Sequence, residues 1–281
     1  WHIHTLKANC AASVWMRNNS NENQMNNPVP QKYAGFRKAD TVDKREVEKF
    51  SALADEWWNP NGQFRALHRL NPARLTFIRD EVCEHYDRLS NSNHSLTGLS
   101  VLDVGCGGGL IAEPLTRLGA EVTAIDASAE AIQIAHEHAT LMDLHITYRC
   151  ATVESIVKEG KVFDVVLNLE VIEHVANPSE FLQSSTKLVG PHGMMIASTL
   201  NRTLKAYALA IIGAEYILGW IPRDTHDWNR FVRPSELAST LRGAGLTLKK
   251  FAGVTYNPIA DRWRISPDDL DVNYMALAIR D

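Results

Sequence analysis

An α/β fold with a parallel sheet covered on both faces is what this sequence predicts, on three observations. After Gly98, short β-branched runs alternate with amphipathic stretches, the pattern of strands joined by crossover helices. One of these runs, Val101–Val104, passes directly into the glycine turn Gly105-Cys106-Gly107-Gly108-Gly109 at the head of a helical stretch. The composition agrees: among 281 residues, 45% hydrophobic and 22% charged suit a packed core and exclude a collagen-like repeat, whole-chain disorder and a multi-span membrane protein.

The N-terminal residues 1–40 are expected to be disordered or derived from a transit segment. Asn18–Asn27 reads NNSNENQMNN and is followed by Pro28 and Pro30, too little apolar content to offset the entropy of ordering. Residues 1–21 hold no Asp or Glu while carrying Lys7 and Arg17, as the tail end of an organelle transit peptide would, and the initial Trp reads as a processed or trimmed end. From Thr41 to Trp58, Val47, Phe50, Leu53, Ala54, Trp57 and Trp58 recur at helical spacing; a second helix is expected from Pro72 to Leu89, with Pro72 in its first turn.

The sheet strands expected next are Val101–Val104, Glu121–Ile125, His145–Cys150, Phe163–Leu169 and Met194–Ser198. Leu110–Leu118, Ala129–Met142 and Pro178–Leu188 are the helices between them. Leu246–Val254 and Asn273–Ile279 are late strands separated by a Pro/Asp-rich connection, and no internal repeat is visible. Residues 41–281 thus read as one domain, with an insertion at about 201–245.

Some chemistries are excluded early. The net charge of −4 and the lack of a basic patch leave no nucleic-acid partner. Cys10, Cys83, Cys106 and Cys150 fall at unrelated spacings with no Cys-x-x-Cys pair, so neither a zinc site nor a disulfide framework is expected.

The glycine turn admits a ligand close to backbone N–H groups at a helix N-terminus, the arrangement that suits a nucleotide-type molecule. A dinucleotide fingerprint would need Gly at position 110, where this chain has Leu110; the pattern is instead Gly105, Gly107 and Gly109 at alternate positions. Asp126 closes the second strand, where a carboxylate can accept both hydroxyls of a ribose. A tight turn without a ligand is the competing reading of the glycines alone.

On VLDVGCGGG and Asp126 the sequence resembles the class I S-adenosylmethionine-dependent methyltransferases. The resemblance implies a Rossmann-like, seven-stranded sheet with helices on both faces and an antiparallel last strand, preceded by a helical extension and carrying a helical insertion after the fifth strand.

The fourth strand ends in Leu169-Glu170-Val171-Ile172-Glu173-His174. If a helix starts there, Glu170, Glu173 and His174 share one face at the carboxyl end of a parallel strand, where open α/β sheets bind ligands. Two carboxylates and an imidazole suit a divalent cation, Mg²⁺ rather than Zn²⁺. An exposed acidic helix start, favoured by the helix dipole, is the alternative.

A narrower resemblance rests on HRLNPARL (68–75), EVIEHV (170–175), STLNR (198–202), GAEYILGWIPRDTHDW (213–228), TYNPI (255–259) and DVNYM (271–275). Over about residues 43–281 these segments are similar to the ubiquinone-biosynthesis O-methyltransferases, which methylate catechol hydroxyls on polyprenylated rings. Pro191-His192-Gly193 departs from the family's commoner Pro-Gly-Gly. Carried over position by position, the cofactor contacts are Arg74, Gly105, Asp126 and Leu169, with Arg74 suited to the methionine carboxylate.

The eukaryotic, mitochondrial type implies Mg²⁺ held by Glu170, Glu173 and His174, a place in the mitochondrial matrix peripheral to the inner membrane, and partner enzymes in a multienzyme complex. His174 is alternatively a metal-free general base. A C-methyltransferase on a polyprenyl quinol and a non-catalytic cofactor-binding subunit of the complex are the competing functions. Ala206–Ile221 carries one charge, Glu215, between basic flanks, and is too short to span a bilayer. It reads as a core helix, a roof over the site or an interfacial helix for a substrate that partitions into lipid.

Overall fold

The computed structural model describes residues 41–211, 227–257, 260 and 262–281. Residues 1–40 and the greater part of GAEYILGWIPRDTHDW, with Ile212 and Ile217, lie outside the described residues.

Among the described residues eight strands form one sheet: β1 (Ser100–Val104), β2 (Glu121–Asp126), β3 (Thr147–Cys150), β4 (Phe163–Leu169), β5 (Val189–Leu200), β6 (Thr247–Asn257), β7 (Arg262–Ser266) and β8 (Asn273–Ile279). Their order is β3-β2-β1-β4-β5-β8-β6-β7. The first five are parallel neighbours, and β8 runs antiparallel between β5 and β6. The strand order reverses between β1 and β4, and the carboxyl ends of these two strands are the natural crevice for a ligand.

The sheet is buried on both sides because successive residues face opposite layers. Val101, Val165, Leu167, Met194 and Ile196 pack into one core, and Leu102, Val104, Val166, Met195 and Ala197 into the other. The N-terminal helix α1 (Lys44–Ser51) precedes the sheet, and the first core is covered by α2 (Arg65–His85), α3 (Ala112–Arg117) and α4 (Ala129–Leu141). The second is covered by α5 (Val153–Lys158), α6 (Pro178–Thr186) and α8 (Pro234–Gly243), while α7 (Leu204–Ala206) opens the insertion. Ser128, Thr152 and Asn177 cap α4, α5 and α6 by accepting backbone N–H bonds.

Several elements differ from expectation. The first helix stops at Ser51 and a separate turn, Ala54–Glu56, follows, because Trp57 and Trp58 are drawn to the glycine loop and cannot continue one helical face. The second helix starts at Arg65, so Pro72 lies inside it rather than in its first turn, and it ends at His85 before Asp87, whose φ is 52°. Pro72 is tolerated because tertiary packing of Leu70, Phe77, Ile78 and Val82 holds both sides of the interruption.

The sheet has an eighth strand beyond the seven expected: β7 was hidden in the Pro/Asp-rich connection. It is an edge strand with Arg262 and Arg264 outward and Trp263 and Ile265 against the core. The short helix α5 has no counterpart in the sequence reading, whereas α8 lies within the insertion expected to be helical. His192 takes φ 57°, a conformation that explains the commoner Gly there, and its carbonyl accepts from His85 Nε2 at 2.8 Å.

Candidate active site

The carboxyl ends of β1 and β4 open into a cavity of 730 Å³ with mainly apolar walls. One wall is the turn after β1. Gly105, Gly107 and Gly109 have φ of 70°, 51° and 88°, values that glycine adopts without steric cost, and this is why the turn carries glycine at alternate positions. A Cβ on Gly105 would stand 2.8 Å from Val171 Cγ2. The N–H groups of Gly105 and Cys106 donate to Ile125 O at 2.8 and 3.0 Å.

Asp126, at the end of β2, lines the cavity. Its Oδ2 accepts from Gly107 N at 2.9 Å and its Oδ1 from Ser128 N at 2.8 Å, so it tethers the glycine turn as well as facing the ligand space. Burial raises its carboxyl pKa above the ordinary range, and these backbone donors oppose the shift. Leu169 closes the same wall.

Asp103 is a residue that sequence reasoning missed. It is an acid inside the apolar run Val101-Leu102-Asp103-Val104, 3% exposed, with Oδ2 unpartnered among the described residues. Burial first, then the charge of Asp126, push its pKa up to about 7.

The opposite wall is a knot of buried charge. Arg74, on α2, pairs with Glu170, whose Oε1 also accepts from Ser198 Oγ at 2.8 Å and from Asn273 Nδ2 at 3.0 Å. Glu173 is 2% exposed and accepts from Thr199 Oγ1 at 2.7 Å. Burial and then Glu170 raise its pKa. His174 faces the N-terminal extension, with Nδ1 2.8 Å from Glu46 Oε2 and Phe50 packed edge-on at 5.0 Å. Burial would raise the Glu46 pKa, but the hydrogen bond and charge of His174, with Lys49 and Arg230, hold it below the ordinary value.

The expected helical face does not form. Glu170 sits at φ 55°, outside a helix, and only Ile172–His174 make a short 3₁₀ turn. Glu170, Glu173 and His174 therefore enter three different pairings, and among the described residues no group of three His, Cys, Asp or Glu is arranged to hold a metal. Among the described residues the Arg74 guanidinium lies beside Glu170 and Glu173 where a cation would have to sit, so the donor set as arranged does not fit a divalent cation. Arg74 itself is 2% exposed and held by Glu170, rather than being a solvated helix arginine.

Much of the remaining lining is apolar and distant in sequence, Phe50, Phe64, Leu67, Leu209, Val254 and Trp263 among others, beside polar side chains such as Lys49, Gln63, Lys205 and Asp269. In the insertion, Leu204, Tyr207 and Leu209 are 81%, 43% and 54% exposed. Among the described residues no helix is long and apolar enough to cross a membrane.

A strand-order reversal, a glycine turn and an acid at the end of β2 make a nucleotide-type site, and the class is that of a methyltransferase domain, whose family model matches residues 74–250. The resemblance to solved structures is one of fold alone. Magnesium protoporphyrin IX methyltransferase from Synechocystis PCC 6803, solved with bound SAH, aligns over 85% of this chain and 100% of its own with a TM-score of 0.60 at 20% identity. The plantazolicin methyltransferase BamL aligns over 84% and 97% with a TM-score of 0.57 at 16% identity.

Curated relatives are much nearer. The ubiquinone biosynthesis O-methyltransferases of Chelativorans sp. (strain BNC1) and Mesorhizobium japonicum are each 52% identical over 85% of this chain, covering 94% and 95% of their own lengths. The chain belongs to the ubiquinone biosynthesis O-methyltransferase family. These relatives are bacterial, at odds with the eukaryotic, mitochondrial type expected from the sequence.

Proposed function

We propose that this chain transfers a methyl group from S-adenosylmethionine to a catechol hydroxyl of polyprenylated dihydroxybenzoate and demethylubiquinol intermediates. The observation that carries the reading is a cavity lined at once by the glycine turn and Asp126, by Arg74, Glu170 and His174, and by a broad apolar surface. Gly105, Asp126 and Leu169 are assigned to the cofactor, Asp126 accepting from the ribose hydroxyls while it tethers Gly107. Arg74 is assigned to the methionine carboxylate, an assignment that shares its guanidinium between that carboxylate and Glu170.

In the reaction the catechol oxygen attacks the sulfonium methyl in line. The new O–CH₃ bond forms as the S–CH₃ bond breaks, and S-adenosylhomocysteine departs. A phenol is mostly protonated at neutral pH, so its proton needs an acceptor. His174 is assigned as that base: donating Nδ1–H to Glu46, a neutral imidazole carries its lone pair on Nε2. No step here runs through Mg²⁺; the magnesium-assisted route with Glu170, Glu173 and His174 as ligands is the finer expectation of the family resemblance, and it is open to a direct test.

That test is turnover of purified protein with labelled S-adenosylmethionine and a short-tailed dihydroxybenzoate, with Mg²⁺ and with EDTA. O-methylated product undiminished in EDTA and lost in His174→Ala supports the base. Abolition by EDTA restores the metal route, methylation at ring carbon favours a C-methyltransferase, and no product with intact cofactor binding favours a non-catalytic subunit.

The exposed Leu204, Tyr207 and Leu209 support peripheral contact of the insertion with a lipid surface, where a polyprenyl tail would reside. The acid-poor residues 1–21 support a mitochondrial matrix location against the inner membrane although the relatives above are bacterial, and the resemblance to the eukaryotic members supports a multienzyme complex as partner. Cell fractionation and affinity capture of the tagged chain test both.

A further inference from the structure

The glycine turn cannot fix its own conformation, because four of its five residues have no side chain and three sit at positive φ. Asp126 secures the Gly107 N–H and β2 secures Gly105 and Cys106. The Gly108 carbonyl is secured from elsewhere: Trp58, in the N-terminal extension, donates its indole Nε1–H to it at 2.9 Å.

The indole is in turn pinned. His138, on α4, stacks on Trp58 with ring centroids 3.4 Å apart and planes 7° apart. Its Nδ1 lies 2.5 Å from Glu113 Oε1, a carboxylate on α3 that is 0% exposed and whose second oxygen accepts from Arg117 at 3.1 Å. The Glu113 backbone N–H donates to Gly109 O at 3.1 Å, which returns the chain of contacts to the turn. Gly108, Trp58, His138, Glu113 and Gly109 thus form a closed circuit drawn from three segments of the chain. Trp57, beside Trp58, packs so tightly over Gly107 and Gly108 that a Cβ on either would collide with its ring.

Asp126, Gly105 and Trp57 line the cavity, whereas Trp58, His138 and Glu113 are not among its lining residues. Their route to a bound molecule runs through the turn.

We propose that Trp58 and His138 are positioning residues for the cofactor, a latch that presets the glycine turn through the Gly108 carbonyl. This rests on the reading of the turn as the S-adenosylmethionine site. A turn so rich in glycine loses much conformational freedom when it closes on a ligand, and a latch that orders it beforehand removes part of that cost from binding. The latch therefore acts on cofactor affinity and not on the acceptor or on the chemical step once cofactor is saturating.

The experiment is calorimetric titration of S-adenosylhomocysteine into wild type and Trp58→Phe, paired with steady-state kinetics and melting temperatures. Phe keeps a flat ring against His138 and removes the N–H donor. The expected result is a Kd raised about three- to tenfold, the loss of one hydrogen bond, with kcat at saturating cofactor and KM for the acceptor within about twofold of wild type. His138→Phe, which keeps the stack and drops the Glu113 bond, should show the same split and serves if Trp58→Phe does not fold. An unchanged Kd in a folded variant, or a lowered melting temperature with unchanged Kd, overturns the latch. Equal losses in Kd and kcat overturn it as well. Wild type that binds no S-adenosylhomocysteine overturns the reading of the turn, and the latch with it.

Discussion

The wall built by the glycine turn is held by backbone: Gly105, Cys106 and Gly107 each place an N–H on β2 or on Asp126, and apolar strand residues pack beneath them. The facing wall is held by side chains, with Arg74, Glu170, Glu173, Ser198, Thr199 and Asn273 meeting in a buried network drawn from α2, the turn after β4, β5 and β8. The difference is one of robustness. A backbone-held turn tolerates loss of one side chain by giving up local order, whereas a buried charge that loses its partner is stranded in a medium that solvates it poorly.

The largest effect should therefore come from the charged wall. Arg74→Met removes the buried guanidinium paired with Glu170 and near Glu173 and is expected to cost about 3–5 kcal/mol of stability, roughly 6–20 °C in Tm for a domain of this size. Arg74→Lys should recover part of that. Calorimetric melting of both variants checks it; a loss smaller than that of Asp126→Ala would mean that the two walls are held alike.

Asp103 brings buried charge into the turn wall and gives the comparison a pH axis. Its folded pKa is raised to about 7 by burial and then by Asp126, so between the unfolded value near 4 and pH 7 the folded state holds a proton that the unfolded state lacks. The associated stability is present below pH 4 and is lost as pH rises through 7, a change on the order of 2–4 kcal/mol. Asp103→Asn does not titrate, so its Tm relative to wild type should climb from pH 4 to pH 8 in the cofactor-free protein. A flat difference across that range would show that Asp103 stays ionised throughout.

Asp126→Ala is expected next in size. It removes the ribose acceptor and releases the Gly107 N–H, raising Kd for S-adenosylhomocysteine about ten- to a hundredfold, or roughly 1.5–3 kcal/mol. Asp126→Asn, which keeps one acceptor oxygen, should fall between. Unchanged affinity in a folded Asp126→Ala would remove this residue from the site.

What the sequence made legible follows the same division. The turn wall was readable because strand, glycines and acid lie within residues 101–126 and each follows from local geometry: an apolar run, a turn needing positive φ, a carboxylate at a strand end. The facing wall was not. Glu170 and Glu173 were found by type and spacing, but spacing assumed a helix, and pairing with Arg74, Ser198 and Asn273 keeps Glu170 at φ 55° instead. Ser198, Thr199 and Asn273 stood inside the family-like segments STLNR and DVNYM without a visible role, because it is the pairing of β4 with β5 that brings Ser198 and Thr199 to Glu170 and Glu173, and the pairing of β5 with β8 that brings Asn273. Asp103 had a local signal, an acid within a buried strand, that went unused. Glu46 had none, since its partner His174 is 128 positions away.

The smallest effect on the fold is expected at the rim, and there it is most informative. Leu204 and Leu209 are 81% and 54% exposed, so Leu204→Ser and Leu209→Ser should change stability by no more than about 0.5 kcal/mol. If these side chains meet lipid or a polyprenyl tail, the same variants should bind liposomes less well, or raise KM for long-tailed acceptors, while short-tailed turnover stays as it was. Remote binding energy is lost and the reacting groups are untouched. Leu209 lines the cavity and Leu204 does not, so the two substitutions separate the sources: a tail-length effect confined to Leu209→Ser places the tail in the cavity mouth, and a liposome effect shared by both places lipid on the helix surface. Full liposome binding and unchanged tail dependence in both stable variants would leave this exposed face without a part in substrate delivery.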